Sequence, residues 1–417
     1  MTAPTANDTR ALKDMPLFDT QTLKCPYHYD KTLRETAAVH QDPDSGVYVV
    51  STYDLVREVH KNPVAFSNEF TLALGSVSKL HEDVVEAMAK TYNLGKGTLL
   101  TIDPPAHKGY RDAVKDFFLA PNVAQYRPWT EELAQKLTAD LPRGTGFDFI
   151  EHFSRPLPLS VIMHVLGIPL DMLEKTFKWT VDNVTVLSGV ADTATLVAAQ
   201  AGIKEEYDWF VSALDERRAQ PREDLLNLVA HATYEGRPLT IEEQLSYCTQ
   251  FLVAGNETTT ATLAEGMRQL CLNPDQQEKV RNDRSLIPNL VEECLRVASP
   301  TSSMWRVSTE DYTLGGTSIP SGSAVLLKYF SSNHDEKMFD LPMEFDVTRE
   351  KAKRHVAFGF GTHVCIGQHL SKLEMIIAWE QLFENSTHFR LDCPPESLDY
   401  MPNILLRGLE ELQVIID

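Results

Sequence analysis

The 417 residues are 43% hydrophobic and 24% charged, an ordinary globular balance with enough apolar material for a large core. Lys and Arg total 39 against 59 Asp and Glu, a formal charge of −20, which argues against nucleic acid or an anionic membrane as partner. Six cysteines without CxxC spacing exclude an ordinary zinc site, and with no export signal they are expected to stay reduced in the cytoplasm.

The chain begins MTAPTANDTRALKDMP, polar and lacking an apolar stretch. Residues 1–20 are expected to form a flexible terminus, with a single domain over 21–417, since no linker or repeat interrupts it. A short strand is expected at 47–51. Apolar residues at three- and four-residue spacing then predict helices over 55–62, 107–119, 129–141 and 203–219. The run 156–173 is apolar but broken by Pro156, Pro158 and Pro169, so it reads as buried core rather than a membrane span. Further strands are expected at 312–314, 324–329 and 412–416. The fold class is therefore mainly α with small β-sheets.

The strongest helix signal runs from Thr240 to Leu272. Thr240 and Glu243 make a capping box, and Asn273-Pro274 stops the helix. About thirty residues at ~1.5 Å each span a whole domain. Its middle, FLVAGNETTT, contains Gly255 and three threonines, all poor helix formers. A helix that breaks local rules at its centre is a candidate functional site.

The sharpest feature is FGFGTHVCIG, Phe358 to Gly367. Gly359 and Gly361 permit a tight turn, and Gly367 lets a following helix, expected to run to about Phe383, pack closely. Cys365 then sits at a helix N-terminus, where backbone N–H groups and the helix dipole are expected to lower its thiol pKa.

This string resembles the haem-ligand loop of the cytochrome P450 family. Three further segments agree in the family's order: Glu293 and Arg296 in EECLR, Ala254 to Thr259 in AGNETT, and Asp103 to Arg111 in DPPAHKGYR. The resemblance covers nearly the whole chain and implies the P450 fold, a triangular helical prism with a long central helix crossing the haem. Cys365 would ligate the iron of haem b, with Phe358, Gly359, Gly361, His363 and Gly367 shaping the loop. His107, Arg111, Arg306 and His363 would hold the propionates. Gly255, after Ala254, would open a groove for dioxygen, while Thr258 would place a hydroxyl and an ordered water near the oxygen and Glu257 would relay protons inward. Glu293, Arg296 and Arg349 would brace the cysteine loop without reacting.

By family position the substrate would meet Val253, Gln250, Thr301, Ser302 and Leu405, in a pocket drawing on 70–79, 177–190, Gln250, Val253, Ala254, 301–304 and 404–406. The function implied is hydroxylation of a small-to-medium hydrophobic molecule by O2. Two electrons would come ultimately from NAD(P)H, through a reductase and an acidic [2Fe–2S]-type ferredoxin. That ferredoxin would dock on Arg349, Lys351, Lys353, Arg354 and Lys372, a basic cluster in an acidic chain. A monomer is expected. The rival readings are a peroxide-driven haem-thiolate peroxygenase and a non-catalytic haem-binding or sensing protein.

Overall fold

A computed structural model describes residues 10–70, 82–92 and 97–417. The central helix, Ile241–Leu272, is continuous through its glycine and threonines. Thr240 caps it, its hydroxyl accepting from the Glu243 N–H while the Glu243 carboxylate accepts from the Thr240 N–H. Consecutive residues are buried along two stretches of it, 244–248 and 262–268, so every face is covered there, as befits a helix enclosed by others. The proline-rich helix Pro156–Leu166, the helix Ile287–Ala298 and the cysteine helix Gln368–Glu384 pack against it.

The helices expected at 55–62 and 129–141 appear as Tyr53–Lys61 and Arg127–Ala139. The one expected at 203–219 begins ten residues earlier, Thr193–Ala219, because the Asp192 carboxylate accepts from the Thr195 N–H and caps it there. The one expected at 107–119 is shorter, Ala106–Val114, and tightens into a 3-10 turn.

Strands form small peripheral sheets. The largest orders Val39–Gln41, Tyr48–Val50, Ala324–Lys328, Ser303–Ser308 and Phe66–Ser67, all antiparallel except Tyr48–Val50 beside Ala324–Lys328. It brings Arg306 on Ser303–Ser308 opposite Val325. A second sheet joins Phe389–Leu391, Gln413–Ile416 and Phe147–Asp148.

One domain boundary needs correction. Residues 10–20 are not a loose tail: Met15 and Leu17 are buried in a cluster with Trp305 and Ile404, and the Leu17 N–H donates to Asp42. Two large apolar side chains supply enough burial to tie the segment down. Residues 1–9 lie outside the described residues.

Candidate active site

The loop from Phe358 to Gly367 folds back on itself, the Cys365 N–H donating to the Phe358 carbonyl at 2.9 Å. Gly361 has φ +73°, and a side chain there would start 2.9 Å from the His60 carbonyl oxygen, so glycine is required on both counts. The backbone N–H groups of Gly367 and Gln368, at the start of the cysteine helix, favour negative charge on the Cys365 sulfur. The expected lowering of its thiol pKa does not prevail: burial pushes it up, outweighing those N–H groups and the more distant Arg111 and Lys372. The Lys372 ammonium lies 5.3 Å from the Phe358 ring centre.

Basic side chains from four separate segments gather at one edge of this loop. The His107 and His363 ring centres are 4.0 Å apart. His363 Nδ1 donates to the Leu99 carbonyl at 3.1 Å. Arg306 is buried, donating through Nη1 to the Trp305 carbonyl and approaching His60 Nδ1 with Nη2 at 3.3 Å. Arg111 lies close enough to feel the charge of Cys365. Among the described residues none of these groups pairs with a carboxylate, and Nε2 of His60, His107 and His363 is buried without a hydrogen-bond partner. A concentration of buried donors with no anion suits a ligand carrying two carboxylates, and haem b is such a ligand. The donor set and the cysteine loop therefore fit it. His60 was missed from sequence. Its signal was a histidine one turn after Val56, on the buried face of Tyr53–Lys61.

Within the central helix Ala254 is exposed although it lies mid-helix, with Val253 and Thr258 partly exposed. A side chain on Gly255 would meet Ile162 at 2.8 Å, so glycine serves the close approach of Pro156–Leu166. The Thr258 hydroxyl donates to the Ala254 carbonyl at 3.0 Å. Glu257 accepts from Thr180 at 3.2 Å and from the Asn256 amide at 3.1 Å. Burial pushes its carboxyl up, partly offset by the Thr180 hydrogen bond and by Arg155.

Several expected substrate contacts are otherwise engaged. The Gln250 side chain accepts from the Leu100 N–H and donates to Ser246 and Thr98. The Ser302 hydroxyl donates to the Leu405 carbonyl at 3.3 Å, and Leu405 itself is buried in the cluster with Trp305. The two loops do meet, through a bridge between Thr301 and Leu406, and both of those residues remain partly exposed. Thr71 to Lys79 of the expected pocket lie outside the described residues.

Glu293 and Arg296 are wholly buried, and Arg349 joins them, its Nε 3.0 Å from a Glu293 oxygen. That contact removes Arg349 from the surface cluster, and Lys372 is neutralised by Glu292 at 2.7 Å. Lys351, Lys353 and Arg354 stay exposed. Lys353 and Arg354 line a cavity of about 300 Å³ with Arg57 and Phe360.

A sequence model of the family described as Cytochrome P450 matches residues 195–409. A protein named Cytochrome P450 109, from Bacillus spizizenii, is 33% identical over 93% of this chain and 91% of its own length. A steroid C26-monooxygenase of Mycobacterium tuberculosis is 29% identical, over 92% of this chain and 98% of its own length. Among solved structures, CYP109Q5 from Chondromyces apiculatus superposes with a TM-score of 0.84 at 30% identity, covering 97% of this chain and 99% of that one.

Proposed function

This chain belongs to the cytochrome P450 family and is a monooxygenase, and from that premise we propose that Cys365 holds haem b by its sulfur for hydroxylation of a small-to-medium hydrophobic molecule. The observation that carries this reading is the conjunction of the cysteine loop with the buried, anion-free donors beside it. Haem, when bound there, supplies the activation of dioxygen.

The chain's own residues do the rest. The N–H groups of Gly367 and Gln368 stabilise negative charge on the sulfur. Arg111, Arg306, His107 and His363 bind the propionates. Glu257, whose carboxyl burial pushes up, relays protons toward the exposed side of the helix at Ala254. Thr258 orients that delivery with a hydroxyl anchored to the Ala254 carbonyl. This acid–alcohol pair favours an O2-dependent monooxygenase over a peroxygenase or a sensor. Val253, Ala254, Thr301 and Leu406 supply a mostly apolar contact surface with one hydroxyl.

Electrons come from NAD(P)H through a reductase and an acidic [2Fe–2S]-type ferredoxin, docked on Lys351, Lys353 and Arg354 with Arg57 beside them. No helix among the described residues is long and apolar enough to cross a membrane, and we place the enzyme in the cytoplasm as a monomer.

The ferrous carbonyl spectrum of the haem-loaded protein tests the assignment of Cys365. A thiolate signature that is lost, together with oxidation, in Cys365→Ala is the expected result. An absorption typical of imidazole ligation, or oxidation that survives the substitution, overturns it.

A further inference from the structure

His60 lies in the last turn of Tyr53–Lys61 with its ring buried. Its Nδ1 is 3.3 Å from Nη2 of Arg306. A guanidinium can only donate, so Nδ1 must accept and carries no proton. The ring is neutral, because burial and then the charges of Arg306 and His363 oppose a second proton. Its one proton therefore sits on Nε2, which is buried and has no hydrogen-bond partner. A buried N–H without an acceptor is costly, so the arrangement calls for one.

The surroundings indicate what that acceptor is. The His60 ring lies 5.5 Å from the Tyr329 ring, and its Cε1 is 3.8 Å from where a side chain on Gly359 would begin. It thus borders the cysteine loop. Arg306 beside it is a buried cation without a carboxylate partner among the described residues. Two adjacent donors, one of them charged, at the edge of the haem loop define an acceptor that is anionic and belongs to the haem.

We propose that His60 is a propionate-binding residue, its Nε2–H donating to the carboxylate that Arg306 also binds. The Arg306–His60 contact fixes the tautomer, so that the imidazole presents a donor without needing to be charged. This inference rests on Cys365 holding haem, and the test separates the two.

Holo His60→Leu is compared with the parent for haem transfer to excess apomyoglobin and for the propionate bending band in resonance Raman spectra. Both proteins are also reconstituted with haem dimethyl ester, which lacks the carboxylates. The expected result is about tenfold faster haem loss and a shifted band in the variant. With the ester the two proteins should behave alike, and His60→Gln, which retains an N–H donor, should recover part of the effect. Should the leucine variant not fold, His60→Met replaces it. Parental haem loss with an unmoved band overturns the proposal, since Nε2 then bonds only water. Faster loss that persists equally with the ester also overturns it, as a packing role. A thiolate carbonyl signature kept throughout confines either failure to His60, whereas its absence in the parent undoes the haem assignment itself.

Discussion

Arg296 grips Glu293 with two parallel hydrogen bonds of 2.8 Å, and neither side chain reaches solvent. All five guanidinium N–H groups are used: two on Glu293 and three on the carbonyls of Asn333, Pro342 and Glu344. Removing one partner would strand a buried charge, at about 3–5 kcal/mol. Glu293→Ala and Arg296→Ala should therefore fail to accumulate as folded, haem-loaded protein. Arg349→Ala, which removes a third partner nearer the surface, should fold with a lowered melting temperature. Expression yield and thermal unfolding check this.

Gly255→Ala should destabilise the protein by about 1–3 kcal/mol, because the added methyl group would overlap Ile162. Ile162→Ala in the same chain should recover part of that loss, a non-additivity specific to direct contact. Urea unfolding of the two single variants and the double variant measures it.

Glu206 gives a pH dependence with a definite sign. It is fully buried, and burial pushes its carboxyl from 4.5 up to about 7, opposed by hydrogen bonds from Thr249 and Asn183 and assisted by Asp182. Between pH 4.5 and 7 the folded state then binds more protons than the unfolded one. This contribution to stability is present below the unfolded pKa and is lost as pH rises through about 7. Its size is on the order of 3 kcal/mol. Glu206→Gln should flatten the decline in stability between pH 5 and 8 by about that amount. An unaltered profile in the variant would refute the shift.

In catalysis, Glu257→Gln should slow product formation on the order of 10²-fold and enlarge the solvent isotope effect, since the proposed proton relay is lost. Thr258→Ala should still consume O2 and NAD(P)H but release peroxide in place of product. Matched assays of product, O2 and peroxide separate the two.

The proposed ferredoxin docking predicts that electron delivery will depend on the exposed cations rather than on the whole basic run. Lys351→Glu with Arg354→Glu should cut ferredoxin-driven reduction about tenfold at low salt and weaken its salt dependence. Reduction by dithionite should be unchanged. Lys372→Gln should have much less effect, because that charge is already paired with Glu292. Stopped-flow reduction at several ionic strengths decides.

What could be read from the sequence alone were features set within a few residues: the Thr240–Glu243 cap, the proline stop, the glycines of the cysteine loop, and the Glu293–Arg296 pair three positions apart. These signals act through local backbone geometry, so they survive in one dimension. The mainly helical class with small sheets followed from apolar periodicity, which is likewise local. Tertiary structure decided whatever depends on which distant chains meet. Arg349 was assigned to Glu293 from family pattern, but its consequent loss from the surface, and that of Lys372 to Glu292, required the packed fold. Gly255 is explained by Ile162 on another helix, and Met15 and Leu17 are anchored by side chains far along the chain. His60 and Arg306, separated by 246 positions, become neighbours only through the sheet and the helix Tyr53–Lys61. Hydrogen-bond satisfaction and burial are properties of contacts, and long-range contacts have no local signature in sequence.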